Sequence, residues 1–297
     1  MSNILISGSV SYDTLLRADD DFRDALAHIG VGSLSVGYHC KTLYRTFGGP
    51  AANMTFHLAK LGLKALPVAA VGSDFGPYAD WLARNGIDQS LLKIVDSELT
   101  AQAIIISDRE HNQFIAFYPG AMAHSKSIKL DVTSADLAVA GPDDREALLQ
   151  RLADFHRIGV PILFDPGQCI TSLTPGDLKG ALAQSRWMIV NEFEQALVER
   201  MLHVQIDSLT RELEAVAVTR GSKGVRLYER TGVMEIDACP VAEPLDPTGC
   251  GDALRAGMIS GILSGVSMAD ALQAGTRLAA ETMAHIGAQW QSVPLTS

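Results

Sequence analysis

Asp246-Pro247-Thr248-Gly249-Cys250-Gly251-Asp252, running on into Ala253-Leu254-Arg255-Ala256-Gly257, is the stretch around which the rest of the chain is organised. Asp-Pro is a breaker pair, the glycines after it suit a tight turn, and the apolar run Ala253 to Leu263 reads as a helix. A helix that starts here leaves the backbone N–H groups of Gly249, Cys250 and Gly251 open. With the positive end of the helix dipole they form an anion site. Glycine also lets a ligand approach the backbone where a Cβ would clash. Asp252 falls in the first turn, where a carboxylate is favoured and stays ionised. Amides that hold an anion beside an ionised carboxylate suit attack of a hydroxyl on a phosphate. The amides would hold the moving charge and the carboxylate would receive the hydroxyl proton. Taken alone, the stretch reads equally well as a capped helix start with glycines for a tight turn.

The chain has 297 residues, 47% hydrophobic and 20% charged, enough for an ample core in one α/β domain spanning 1–297. Its net charge of −10 is the opposite of a nucleic-acid-binding footprint, so no nucleic-acid partner is expected. A phosphate ligand stays compatible, because local amides can outweigh global charge. The four cysteines, Cys40, Cys169, Cys239 and Cys250, form no CxxC pair and no zinc spacing, which suits reduced thiols in a cytoplasmic protein. Ser2-Asn3-Ile4-Leu5-Ile6-Ser7-Gly8 reads as a first strand instead of a secretion signal, and no apolar run is long enough to span a membrane.

Strands and helices alternate through most of the sequence, and strands repeatedly end in polar or glycine clusters: Gly8-Ser9, Asp165, Asn191 and Thr219. That pattern predicts a mostly parallel sheet with one ligand-binding edge. Asp13, just after the first strand, is placed to accept hydrogen bonds from two hydroxyls, or is simply a turn residue. Asp19-Asp20-Asp21 and Asp24 read as a solvated face. Gly48-Gly49-Pro50-Ala51-Ala52-Asn53 is a second glycine-led helix start, with Pro50 suited to the first turn. Asn53, one turn in, faces either a ligand or solvent. Thr100 to Ser107 and Asn112 to Tyr118 form a hairpin signature around Asp108-Arg109-Glu110-His111. It interrupts the α/β rhythm, and we read it as a lid built from segments within about 13–47 and 98–120. Alternation puts Gln113, Ile115 and Phe117 on one face of the hairpin, Phe114 and Ala116 on the other. Which face meets a ligand is open.

Asn191-x-x-Glu194 sets an amide at a strand end and a carboxylate one helical turn later. Glu194 could hold Mg²⁺ through water, or the pair could be a plain N-cap and helix. Thr219-Arg220-Gly221-Ser222-Lys223-Gly224 could cradle a nucleotide or be a glycine-rich turn, and it lacks the Walker spacing. No GxGxxG follows the first strand, no HExxH occurs, and no Gly-x-Ser-x-Gly elbow marks a serine hydrolase.

Together these motifs, in this order, resemble the ribokinase-like (PfkB) family of carbohydrate and nucleoside kinases over nearly the whole chain. The family's D-T-x-G-A-G-D signature corresponds to Asp246 to Asp252, its Gly-Gly…Asn to Gly48 to Asn53, its N-x-x-E to Asn191 to Glu194, and its T-x-G-x-x-G loop to Thr219 to Gly224. The resemblance implies a three-layer α/β/α fold with a small β lid. It makes Asp252 the catalytic base and Gly249, Cys250 and Gly251 the anion hole. Asp13, Gly48, Gly49 and Asn53 would hold sugar hydroxyls. Asn191, Thr219, Gly221 and Gly224 would line the ATP side, and Glu194 would organise Mg²⁺ through water. A monovalent cation is a further possible cofactor, and a monomer or homodimer the expected assembly.

Asp246 to Asp252, Thr100-Ala101-Gln102-Ala103, Asn112-Gln113 and Phe117-Tyr118-Pro119-Gly120-Ala121-Met122 look like the bacterial adenosine kinase-like subgroup. Gln102, Gln113 and Phe117 would then meet a purine base. The implied activity is ATP-dependent phosphorylation of a nucleoside 5′-hydroxyl, most simply that of adenosine, as in purine salvage. A free-sugar kinase of the same family and a catalytically silent sugar- or nucleotide-binding sensor are the alternatives. Cys250 stands where the family has Ala, and its helix-start position suggests a lowered thiol pKa. Arg255, one turn beyond Asp252, reads as a phosphate contact or a surface residue.

Overall fold

Fully apolar runs become the centre of a sheet here, and half-polar ones a smaller sheet beside it. The computed structural model describes residues 3–19, 21–22, 38–110 and 112–291. In chain order the elements are β1 (Asn3–Ser7), β2 (Ser11–Ala18), β3 (Cys40–Gly48), α1 (Pro50–Lys60), β4 (Lys64–Gly72), α2 (Gly76–Arg84), β5 (Leu92–Val95), β6 (Ala101–Ser107) and β7 (Gln113–Tyr118). There follow β8 (Leu137–Ala140), α3 (Arg145–Arg157), β9 (Ile162–Phe164), α4 (Pro175–Gln184), β10 (Trp187–Asn191), α5 (Glu192–Leu202), β11 (Ala215–Thr219), β12 (Val225–Glu229), β13 (Gly232–Ile236), α6 (Cys250–Leu263) and α7 (Met268–Met283).

The main sheet has nine strands in the order β13-β12-β11-β10-β9-β8-β1-β4-β5. It is parallel from β5 through β11, and the β12–β13 hairpin adds antiparallel strands at one edge. Both faces are covered, as a parallel sheet requires. Along β1, Ile4 and Ile6 pack into the core shared with α1, α2, α6 and α7, and Leu5 packs into the core of α3, α4 and α5. The chain is therefore an α/β fold in three layers around a mostly parallel sheet, as the resemblance led us to expect. Among the described residues no helix is long and apolar enough to cross a membrane.

The smaller sheet runs β3-β2-β6-β7, with β2 and β6 parallel and the outer pairs antiparallel. Its hairpin is closed by Asp108, whose carboxylate accepts from the N–H groups of Phe22, Glu110 and Asn112 and from the Asn112 amide. Asp13 does not occupy the expected turn after β1. It lies inside β2, between β3 and β6. The Ser-Tyr-Asp-Thr-Leu-Leu-Arg run hid this strand because both faces of the small sheet stay partly wet, so its polarity shows no clean period of two. Residues 23–37 of the expected lid, the Asp20 and Asp24 of the acidic face, His111 and the Gln113 side chain lie outside the described residues. Asp19 pairs with Lys41 at the surface.

Candidate active site

Two glycine turns converge over the carboxyl ends of the central strands. Gly49 (φ +91°) caps α1 and Gly249 (φ +78°) caps α6, both in the left-handed region that favours glycine. A Cβ on Gly49 would sit 2.5 Å from the Ser9 carbonyl, and one on Gly249 would strike Ala288. Each helix therefore starts where only glycine fits. Pro50 occupies the first turn of α1, as its fixed φ allows.

Among the described residues, the N–H groups of Gly249, Gly251 and Asp252 meet no protein acceptor, which leaves them to an anion. The Cys250 N–H instead turns back onto the Pro247 carbonyl at 3.2 Å, so it is the least available of the expected trio. Asp246 braces this loop by accepting from Thr248 N (2.9 Å) and from Gly287 N (2.8 Å). The Cys250 thiol is not activated. Burial, Asp246 and Asp252 push its pKa up to about 11, and desolvation with two carboxylates outweighs the helix dipole.

Asp252 keeps part of its surface open to the cleft, but protein crowds the rest of it. That burial lifts its pKa to about 6, with Asp165 adding to the rise and Arg255 and the Asn53 amide opposing it. It is ionised at neutral pH and close enough to neutrality to accept a proton. Asn53 Nδ2 donates to Asp252 Oδ2 at 2.8 Å. Arg255 is neither at the surface nor aimed at a ligand. Its Nε and Nη2 fork onto Asp165 at 2.5 and 2.7 Å, and its Nη1 donates to the Gly251 carbonyl at 3.0 Å. This buried pair ties the first turn of α6 to the end of β9.

Asp13 faces the same cleft. Burial raises its pKa to about 7, and Asp252 and Asp246 add to the rise, while Ser11 Oγ donates to it at 3.3 Å. Gly48 is required beside it, because a Cβ there would fall on the Asp13 carboxylate. Register decides the facing side of the small sheet. Asp13 shares a row with Thr46, Ala103 and Phe117, and the next row holds Leu15, Tyr44, Ile105 and Ile115. Phe117 therefore stands on the Asp13 face, 49% exposed. Gln102 falls in the row of Tyr12, Phe47 and Tyr118, on the opposite face, so the parity of β6 takes it away from Asp13. Gln113 pairs with Ser107 through its backbone.

On the other side of the anion site, Asn191 and Thr219 are register partners at the ends of β10 and β11. Asn191 and Glu194 form a reciprocal capping box, with Glu194 N donating to Asn191 Oδ1 and Asn191 N to Glu194 Oε2, both at 2.9 Å. The capping reading is thus correct, and it fixes the Glu194 carboxylate where burial and Asp165 raise its pKa and Arg255 lowers it. Gly221 and Gly224 take positive φ (+56° and +81°), and a Cβ on Gly224 would strike the Ile236 carbonyl. The loop is held by Arg220, which pairs with Glu235. Asp165, Asp252 and Glu194 all act on the Arg255 guanidinium, a local excess of negative charge. Among the described residues no group of three or more His, Cys, Asp or Glu is placed to hold a metal ion directly, and Glu194 is the carboxylate that could meet one through water.

Sequence reasoning missed the residues behind the site. Tyr78, Trp81, Ala288 and Gln289 are drawn together from α2 and the segment after α7. An isolated glutamine beyond the last helix carries no local signal.

The pfkB family carbohydrate kinase pattern matches residues 10–294. A nucleoside kinase of Methanothermobacter thermautotrophicus is 33% identical over 234 residues, covering 77% of this chain and 75% of its own. The structure of Burkholderia thailandensis nucleoside kinase in complex with inosine superposes with a TM-score of 0.88 at 31% identity, covering 96% of this chain and 92% of that one. The same enzyme in complex with ADP-inosine gives a TM-score of 0.86 at 31% identity, over 98% and 92% of the two chains.

Proposed function

The chain belongs to the pfkB family of carbohydrate kinases and is a phosphotransferase with an alcohol acceptor, and we propose that it transfers the γ-phosphoryl group of ATP to the 5′-hydroxyl of a purine nucleoside. The observation that carries this reading is Asp13 and Phe117 on one face of the small sheet, opposite Asp252. A carboxylate that accepts two hydroxyls suits a ribose, and an exposed aromatic two strands away on the same face suits a base. The inosine bound by the B. thailandensis enzyme supports a purine acceptor, and adenosine is the first to test.

In this reading Asp13 clamps the ribose hydroxyls, with Gly48 leaving room for its carboxylate. Gly49 and Asn53 line the sugar side. Asp252 takes the proton of the attacking hydroxyl as the phosphoryl group moves in line. The open N–H groups of Gly249, Gly251 and Asp252 stabilise the charge that develops on it, while the Cys250 N–H, turned onto Pro247, holds the shape of the turn. Asn191, Thr219, Gly221 and Gly224 line the nucleotide side, and Glu194 would hold Mg²⁺ through water. When bound, the ion would neutralise the phosphates being transferred. The small sheet acts as a lid whose closure keeps water from Asp252.

Product analysis tests the reading. Adenosine and Mg-ATP should give a monophosphate whose phosphorus couples to the 5′ protons. Phosphorylation at the 2′ or 3′ position, or of free ribose alone, would refute it.

A further inference from the structure

Hydrogen-bond polarity is fixed by a donor-only group remote from Asp252. The Trp81 indole N–H can only donate, and it points at Gln289 Oε1 at 2.9 Å. Gln289 must then turn its Nε2 the other way, where it donates to Asn53 Oδ1 at 2.9 Å and to Tyr78 Oη at 2.5 Å. With its oxygen engaged, Asn53 can offer Asp252 only Nδ2, at 2.8 Å. Tyr78, having accepted from Gln289, donates to the Gly48 carbonyl at 2.7 Å. Gln289 is fully buried and Asn53 nearly so. One branch of this chain ends on Asp252, and the other on the glycine that makes room for Asp13.

We propose that Gln289 is a positioning residue that fixes the Asn53 amide so that it donates to Asp252, and that through Tyr78 it sets Gly48 against Asp13. The proposal rests on the reading of Asp252 as the base. Reversed, the Asn53 amide would put its oxygen against the carboxylate, and the ionised form would lose its bond and gain a repulsion. With Asn53 held by Gln289, Asp252 Oδ2 is occupied and Oδ1 is left for the acceptor hydroxyl. The segment that carries Gln289 is itself anchored on both sides. Gly287 N donates to Asp246, Ala288 packs on Gly249, and Gln291 Oε1 accepts from Phe47 N at 2.8 Å. The charged groups around Asp252 are Arg255 from its own helix, Asp165 just beyond β9 and Asp13 from β2, whereas the hydrogen bonds of Gln289 run to Trp81, Asn53 and Tyr78.

The test is a double-mutant cycle on kcat against pH with Asn53→Ala and Gln289→Met, a substitution of similar shape with no donor. Asn53→Ala should move the acid limb of kcat up by roughly one pH unit, the worth of one hydrogen bond to a charged group. Gln289→Met should move it in the same direction, and adding it to Asn53→Ala should move it no further. Additive effects, or an unmoved limb in Gln289→Met, would overturn the proposal, since a purely packing role predicts lower thermal stability without a shift. If Gln289→Met does not fold, Trp81→Phe removes the orienting donor alone, and an unmoved limb there is equally fatal. The Asp252 carboxyl titration by carbon NMR needs no substrate. Were wild type to phosphorylate no nucleoside, the functional reading would fail, and the same shifts in that titration would still decide the role of Gln289.

Discussion

Replacing Arg255 with Met should damage stability and catalysis together, through one buried carboxylate. Asp165 is 1% exposed, and both its oxygens are taken by Arg255 at 2.5 and 2.7 Å. Removing one partner of such a pair leaves an uncompensated buried charge and costs about 3–5 kcal/mol. Unfolding entropy of about 2.1 cal/mol/K per residue gives about 0.6 kcal/mol/K for the 297-residue chain, so the melting temperature should fall by roughly 5–8 °C. Arg255 is also the first influence holding the Asp252 pKa down, so its loss should lift that value above about 6 and reduce kcat at pH 7. Calorimetry with a pH–rate profile reads both effects, and Arg255→Met/Asp165→Leu should regain much of the stability because the orphaned charge is gone. A melting temperature within about 1 °C of wild type for the single variant, the shift of an ordinary surface substitution, together with an unmoved acid limb, would refute the reasoning.

Other outcomes follow from the same geometry. Activity at saturating substrate should rise through an apparent pKa near 6, because Asp252 must be ionised, and a profile flat from pH 5 to about 8 would contradict its role as base. KM for the nucleoside should increase as pH falls below about 7, where Asp13 takes up a proton and ceases to accept two hydroxyls, and a pH-independent KM would count against the clamp. Gly48→Ala should raise KM far more than it lowers kcat, because the new methyl displaces the Asp13 carboxylate, and equal losses in both would point elsewhere. Asp13, Asp143 and Asp252 have folded pKa values raised to about 7, 7 and 6 from 3.8. Each binds more protons folded than unfolded between those limits, so the ligand-free protein should gain stability on acidification from pH 8 to about 5, and a melting temperature that falls over that range would be wrong for all three.

The parts of the fold legible in the sequence were those buried on both faces. The run Ala215–Thr219 reads as a strand because nothing in it is polar until its ligand-side end. β2 escaped because Asp13, Thr14 and Arg17 face partly wet surroundings, and the four-residue β5 is an edge strand too short to show a period. Parity along β7 is visible locally, and it correctly grouped Ile115 with Phe117. Choosing their face needed the register with β2, which only tertiary structure supplies. Asn191-x-x-Glu194 was readable as a cap from spacing alone, because a capping box is a local bond. Gln289 was not readable, since its contact with Asn53 spans 236 residues. For Cys250, a helix-dipole argument failed because the turn buries the thiol and sets Asp246 and Asp252 beside it.

The most direct measurement is ADP release from Mg-ATP by wild type and Asp252→Asn, with adenosine, inosine, guanosine, cytidine, ribose and fructose as acceptors. The account predicts turnover by wild type with purine nucleosides and not with free sugars. In Asp252→Asn the rate should fall by about 10²–10⁴, as expected for loss of a general base, while calorimetry shows nucleoside binding retained. Turnover with free sugars alone, or near-normal turnover by Asp252→Asn, would contradict it.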